Sequence, residues 1–142
     1  MTPPSALQRV QSSFAAQGLM QTLGARLLHA TEGEVQIVLP FSPALSQQRG
    51  FVHAGAITSV VDSACGYAAL TVAPPDCEVV TIEFKVNFLR PAIGQEFLAT
   101  GRVQSAGRQV TVCTGEVTAV ADGMRKVVAL MQATIMNVRH EA

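Results

Sequence analysis

The sequence has no tryptophan, one tyrosine and only 5% aromatic residues, and charged side chains occupy no more than 14% of its 142 positions. Disordered chains are rich in charge and poor in apolar residues. With 49% apolar residues this chain has the opposite balance, which excludes disorder over most of its length. Ten basic residues offset ten acidic ones, and no run of lysine or arginine offers a track for a phosphate backbone. That argues against nucleic acid as a partner. The three cysteines, Cys65, Cys77 and Cys113, are odd in number and too far apart for a disulfide framework or a C-x-x-C metal knuckle. They read as free thiols in a reducing compartment. Met1 to Gln8 lack the basic-then-apolar pattern of a secretory signal, so the expected location is the cytoplasm. Repeats, linkers and low-complexity stretches are also missing, and the length suits one domain over residues 1–142. A neutral, charge-poor protein is expected to bury part of its apolar surface against copies of itself.

What is present falls into clear periods. Pro3-Pro4-Ser5 opens a segment in which Leu7, Val10 and Phe14 recur at helical spacing, with Gly18 expected to close it. Residues 1–20 are thus a helical extension. Two short strand-like runs follow, Ala25 to Ala30 and Val35 to Leu39, around a Thr31-Glu32-Gly33 turn. Phe41 to Val52 is irregular, punctuated by Pro43 and Gly50.

From Ala54 to Ala73 the chain is almost wholly apolar or small, with Asp62 as its one formal charge. A helix apolar on all sides is either buried or crosses a membrane. No basic flank sets an orientation, an acid lies inside and strands surround the segment, which favours a buried central helix over a membrane span. Beyond Pro74-Pro75 the period becomes two. From Val80 to Phe88 every even position is apolar and every odd one polar, which predicts a strand with one buried face. Glu96 to Gln104, Gln109 to Ala121 and Met124 to Val138 read as three more strands, joined by turns too short for anything but antiparallel neighbours. The expected architecture is α+β, a curved antiparallel sheet wrapped around one long helix.

Asp62 is the residue that needs an explanation. A carboxylate inside an apolar helix is costly unless paired or hydrated, and no lysine or arginine lies three or four positions away. Two readings stay open: a structural acid satisfied by nearby hydroxyls such as Thr58 or Ser59, or a carboxylate facing a cleft, ready to activate water or attack a carbonyl. His53, followed by Ala54 and Gly55, stands where the helix begins, and free N–H groups at a helix start suit an oxygen that gains negative charge. His53 and Asp62 are nine positions apart, about two and a half turns and ~13 Å along the axis. They cannot easily meet within one chain, so a site using both is expected across a dimer interface.

The run from Arg49 through His53, Ala54 and Gly55, with Asp62 and the strand Val80 to Phe88 closed by Leu89-Arg90-Pro91, resembles the PaaI-type acyl-CoA thioesterases of the hot-dog fold. The resemblance covers nearly everything from the first hairpin onward and leaves the N-terminal helix as decoration. It implies hydrolysis of acyl-CoA thioesters by a dimer or dimer of dimers, without metal or cofactor. Asp62 would be general base or nucleophile, and the N–H of Ala54, after His53, would hold the thioester oxygen. Gln47 occupies the place of an asparagine that positions water, and Thr81 that of a serine assisting the attack. Gly55 would admit the substrate to the helix start, while Phe88, Arg90, Gly107 and Arg108 would border the CoA surface. The chain departs from the family in reading H-A-G for H-G-G, which keeps the N–H, and in carrying Gln47 for asparagine. A hot-dog dehydratase or hydratase would carry an H-F-P-G or D-x-x-x-x-H motif, and neither occurs. A non-catalytic acyl-thioester-binding module would use the same cleft without turnover.

Overall fold

Antiparallel pairing organises the chain. The computed structural model describes residues 2 and 4–140; Met1 and Pro3, used in the sequence reading, lie outside them. Helix α1 (Ala6–Ala16) starts from a capping box in which Ser5 and Gln8 each bond the other's backbone N–H. Gly18 does not end the helical segment. The chain breaks at Gln17, resumes as α2 (Gly18–Leu23), and stops at Gly24, which takes the left-handed conformation (φ 74°) that ends helices. Strands β1 (Arg26–Thr31) and β2 (Glu34–Pro40) form the expected hairpin. After a single 3₁₀ turn at Pro43–Leu45 comes α3 (Ala54–Val72), then β3 (Cys77–Phe88), β4 (Glu96–Ala106), β5 (Val110–Ala121) and β6 (Met124–Arg139). The α3 helix stops where it must: Ala73 precedes Pro74 and is extended, as residues before proline are.

The six strands form one sheet in the order β1-β2-β4-β5-β6-β3, antiparallel throughout. Helix α3 lies on its inner face and supplies Ile57, Val60, Val61, Ala64, Cys65 and Ala68 to the core. The close approach has a local cause. Gly101 of β4 and Gly115 of β5 pair directly opposite each other. A side chain at Gly101 would run into the backbone of Ala64, and a Cβ at Gly115 would sit 2.6 Å from Val61 Cγ2. The paired glycines make the groove in which the helix sits. Ala54–Val72 is long and apolar enough to cross a membrane, but it is the core helix of this sheet.

The period-two strand needs a correction. Opposed residues of an antiparallel pair share a face. Thr81 opposes buried Ile135, yet beyond a bulge Phe84 opposes Ala133 and Val86 opposes Met131. The bulge falls at Ile82, so the inward set changes from odd to even positions partway along the strand. Val80 and Ile82 are therefore on display, and so are Phe84 and Phe88, because β3 is an edge strand with no neighbour on its outer side. Apolar side chains on both faces of β3 are thus left uncovered within a single chain.

Candidate active site

The start of α3 is built around His53. Its Nδ1 accepts the N–H of Gly55 at 2.7 Å, so it serves as the N-cap, and the ring's proton in the neutral form sits on Nε2. Gly55 is small for this reason: a Cβ there would lie 3.0 Å from His53 Nδ1. Its N–H is committed to the cap. The N–H of Ala54 has no acceptor among the described residues, and the residue is exposed. A turn before the helix holds these groups in place. Ser46 and Val52 form a bridge, Gln47 N–H donates to Phe51 O at 2.8 Å, and His53 N–H donates to Leu45 O at 2.8 Å. Gln47 Oε1 accepts the backbone N–H of Arg49, which fixes the side chain and leaves its amide NH₂ as the available end. Gln47, His53, Ala54, Phe88 and Arg90 line one cleft of about 370 Å³.

Asp62 lies elsewhere. It is half-buried on α3 and its Oδ1 accepts a hydrogen bond from Thr81 Oγ1 at 2.7 Å. The hydroxyl partner comes from β3, not from Thr58 or Ser59; Ser59 instead donates to Gly55 O. Among the described residues no arginine, lysine or histidine pairs with the Asp62 carboxylate. A second cleft, about 670 Å³, contains Asp62 and Thr81. Gly107 and Arg108 line a third at the far end of the sheet, beside Asn137 and Arg139. The structure thus brings the predicted residues together in three groups, with the helix start and the acid in separate clefts.

The second cleft also contains residues that the sequence reading left out. Ser13 of α1, Gln17 at that helix's C-terminal cap, and Ser63, Gly66 and Tyr67 of α3 line it. The helix taken for decoration is a wall of the Asp62 cleft. Ser13 lies on the last turn of α1 and Gln17 caps it, so both reach the cleft from the end of that helix.

Cys65, Cys77 and Cys113 are free and buried. Burial, with smaller contributions from Cys113 and Asp62, pushes the Cys65 thiol far up, and burial lifts Cys113 from 9.0 to about 11. Neither is a thiolate near neutral pH.

Residues 49–124 match the sequence profile of the thioesterase superfamily. A crystal structure of a thioesterase family protein from Silicibacter pomeroyi superposes with a TM-score of 0.94 at 44% identity, covering 96% of this chain and 100% of that one. A Halobacterium salinarum protein provisionally named an esterase is 31% identical over 118 residues, which span 80% of this chain and 78% of that protein. The E. coli PaaI protein from the phenylacetic acid degradation operon shares the fold at 22% identity, with a TM-score of 0.82 over 94% of this chain and 93% of its own.

Proposed function

The chain belongs to the thioesterase superfamily, with the hot-dog fold and the thioester-hydrolase chemistry of that family, and from this premise we propose that it cleaves acyl-CoA thioesters with Asp62 as its base or nucleophile. The observation that carries the reading is Asp62 itself. It is a carboxylate on the core helix, open to a cleft, without a cationic partner among the described residues and steadied by Thr81.

As general base, Asp62 takes a proton from water as the water oxygen attacks the thioester carbon. The carbonyl oxygen becomes an oxyanion held by the free Ala54 N–H at the positive end of α3. When the C–S bond breaks, the departing sulfur receives the proton and the acid is left. Direct attack by Asp62 through an anhydride would use the same groups. Thr81 orients the carboxylate in either case, His53 fixes the helix start, and the Gln47 NH₂ holds water or carbonyl. Phe88, Arg90, Gly107 and Arg108 are proposed CoA contacts, with the arginines as phosphate partners.

A second copy of the chain completes the site in this reading. Ala54 and Asp62 are ~12 Å apart in rise along one helix and line different clefts. A long edge strand displaying Val80, Ile82, Phe84 and Phe88 invites pairing with its own copy. An isologous dimer across β3 sets the helix start of one protomer against Asp62 of the other, giving two sites per dimer. The proposal takes residues 1–142 as one catalytic domain, its N-terminal helical segment included.

The test is thiol release from a panel of acyl-CoAs. Turnover is expected, with Asp62→Asn folded but nearly inactive. Tight binding of the panel without any turnover would convert the protein to a binding module and overturn the enzymatic reading.

A further inference from the structure

The cleft beside Asp62 has a floor without a side chain. Gly66 lies one helical turn past Asp62, so the two share a face of α3. A glycine inside a helix weakens it relative to alanine. Elsewhere in this fold such a loss has a packing reason, as at Gly101 and Gly115 beneath α3. Gly66 is the reverse case. A Cβ there would meet no atom within 4 Å, and its φ is not positive. Neither packing nor backbone geometry asks for glycine. What the missing side chain preserves is free space above the helix, next to the carboxylate.

One wall of that space is polar. Gln17 Nε2 donates to Tyr67 Oη at 2.7 Å, and Ser63 Oγ donates to Gln17 Oε1 at 3.2 Å. Ser13 Oγ lies 3.2 Å from the same Tyr67 oxygen, and Phe14 packs against the ring at a centroid distance of 6.0 Å. The second hydrogen on Gln17 Nε2 has no acceptor in this set. A plain hydrocarbon laid over that hydrogen would keep water from it and return no hydrogen bond. Asp62 and Tyr67 line the same cleft, ~7.5 Å apart in helix rise, a separation on the scale of a five-carbon acyl chain with a terminal hydroxyl.

We propose that the acyl group of the substrate lies over Gly66, and that the Gln17–Tyr67 pair selects a compact acyl group with a hydrogen-bonding tip over a plain alkyl chain of equal length. The inference rests on the thioester-hydrolase reading and adds to it the class of acyl group.

The test uses 5-hydroxypentanoyl-CoA and hexanoyl-CoA, matched in heavy atoms, with acetyl-CoA as an acyl group too short to reach Gly66. The parent protein is expected to favour the hydroxylated thioester by about tenfold in kcat/KM. Tyr67→Phe and Gln17→Leu should bring that ratio to within about twofold, because they remove the polar wall and keep its bulk. Gly66→Ala should melt no lower than the parent, yet lose about tenfold on both longer substrates while acetyl-CoA turnover changes by no more than about twofold. A parent preference for hexanoyl-CoA, an unmoved ratio in Tyr67→Phe, or full hexanoyl-CoA activity in Gly66→Ala would overturn the inference while leaving the hydrolase reading intact. If no thioester is cleaved, the hydrolase reading fails and calorimetry with the thioether analogue of 5-hydroxypentanoyl-CoA decides the rest. Weaker binding by Gly66→Ala then supports the acyl site, and unchanged or absent binding removes it.

Discussion

The hydroxyl of Thr81, on the edge strand, donates to Asp62 Oδ1 on the core helix across 2.7 Å. The bond is possible because Thr81 precedes the bulge at Ile82; in the register beyond the bulge an odd position would face away from α3. It occupies one carboxylate oxygen of a residue that lines the cleft. In the proposed mechanism the Thr81 contact therefore orients the base and contributes little to substrate affinity.

Thr81→Val keeps the β-branched shape and removes the donor. It should lower kcat by about tenfold, ~1.4 kcal/mol of barrier, with KM nearly unchanged and the urea midpoint close to the parent. Asp62→Asn should cost far more in kcat than Thr81→Val. Equal losses from the two, or a Thr81→Val effect confined to KM, would show that the hydroxyl binds substrate instead of holding Asp62.

Arg9 ties the N-terminal helix to the end of the core helix. Its guanidinium donates to Ala73 O at 2.8 Å, Pro74 O at 3.1 Å and Cys77 O at 2.9 Å, and Pro74 O also accepts the Cys77 N–H. Arg9→Ala is expected to cost about 1–3 kcal/mol in chemical denaturation. Arg9→Lys should recover less than half of that, since one ammonium cannot match the planar fork. Full recovery by lysine would reduce the contact to simple charge.

The buried thiols give a sign for alkaline stability. Both native thiols hold their protons above the ordinary range, Cys113 up to about 11 and Cys65 further, so their folded pKa values exceed the unfolded ones. Below pH ~8.5 both states are protonated and pH has no leverage through these groups. Above it the unfolded chain releases protons that the native state keeps, and stability falls as pH rises. The urea midpoint should drop between pH 8.5 and 10.5, and the drop should be shallower in Cys65→Ala/Cys113→Ala, even though that variant starts lower through lost packing. An equally steep decline in the double variant would assign the effect to other groups.

Much of this fold is legible in the sequence, because α3 shows as a nearly unbroken apolar run and the strands as runs between short turns. What escaped depends on contacts remote in the chain. The bulge at Ile82 leaves alternation intact in the letters while reversing the faces. Gly101 and Gly115 look like strand weaknesses until they are seen paired beneath Ala64. The acid and the helix start stood out locally, as a charge in an apolar helix and small residues at its N-terminus. Gln17 and Tyr67 did not, since fifty residues separate two side chains that touch.

The most decisive experiment concerns the division of the site between two chains. Ala54 and Asp62 line separate clefts of one protomer, so a shared site takes the N–H from one chain and the carboxylate from the other. Asp62→Asn removes the base, and Ala54→Pro removes the N–H at a first helical position where proline is tolerated. Each variant alone should be nearly inactive while retaining the parent circular dichroism spectrum. Mixed in equal amounts with free exchange, half the dimers carry one of each chain, and one of the two sites in each mixed dimer is whole. Activity should return to about a quarter of the parent, the product of those halves. Native mass spectrometry of mass-labelled chains establishes that exchange has occurred. With exchange established and both variants folded, a mixture that stays inactive would confine every site to a single chain and remove the dimeric mechanism.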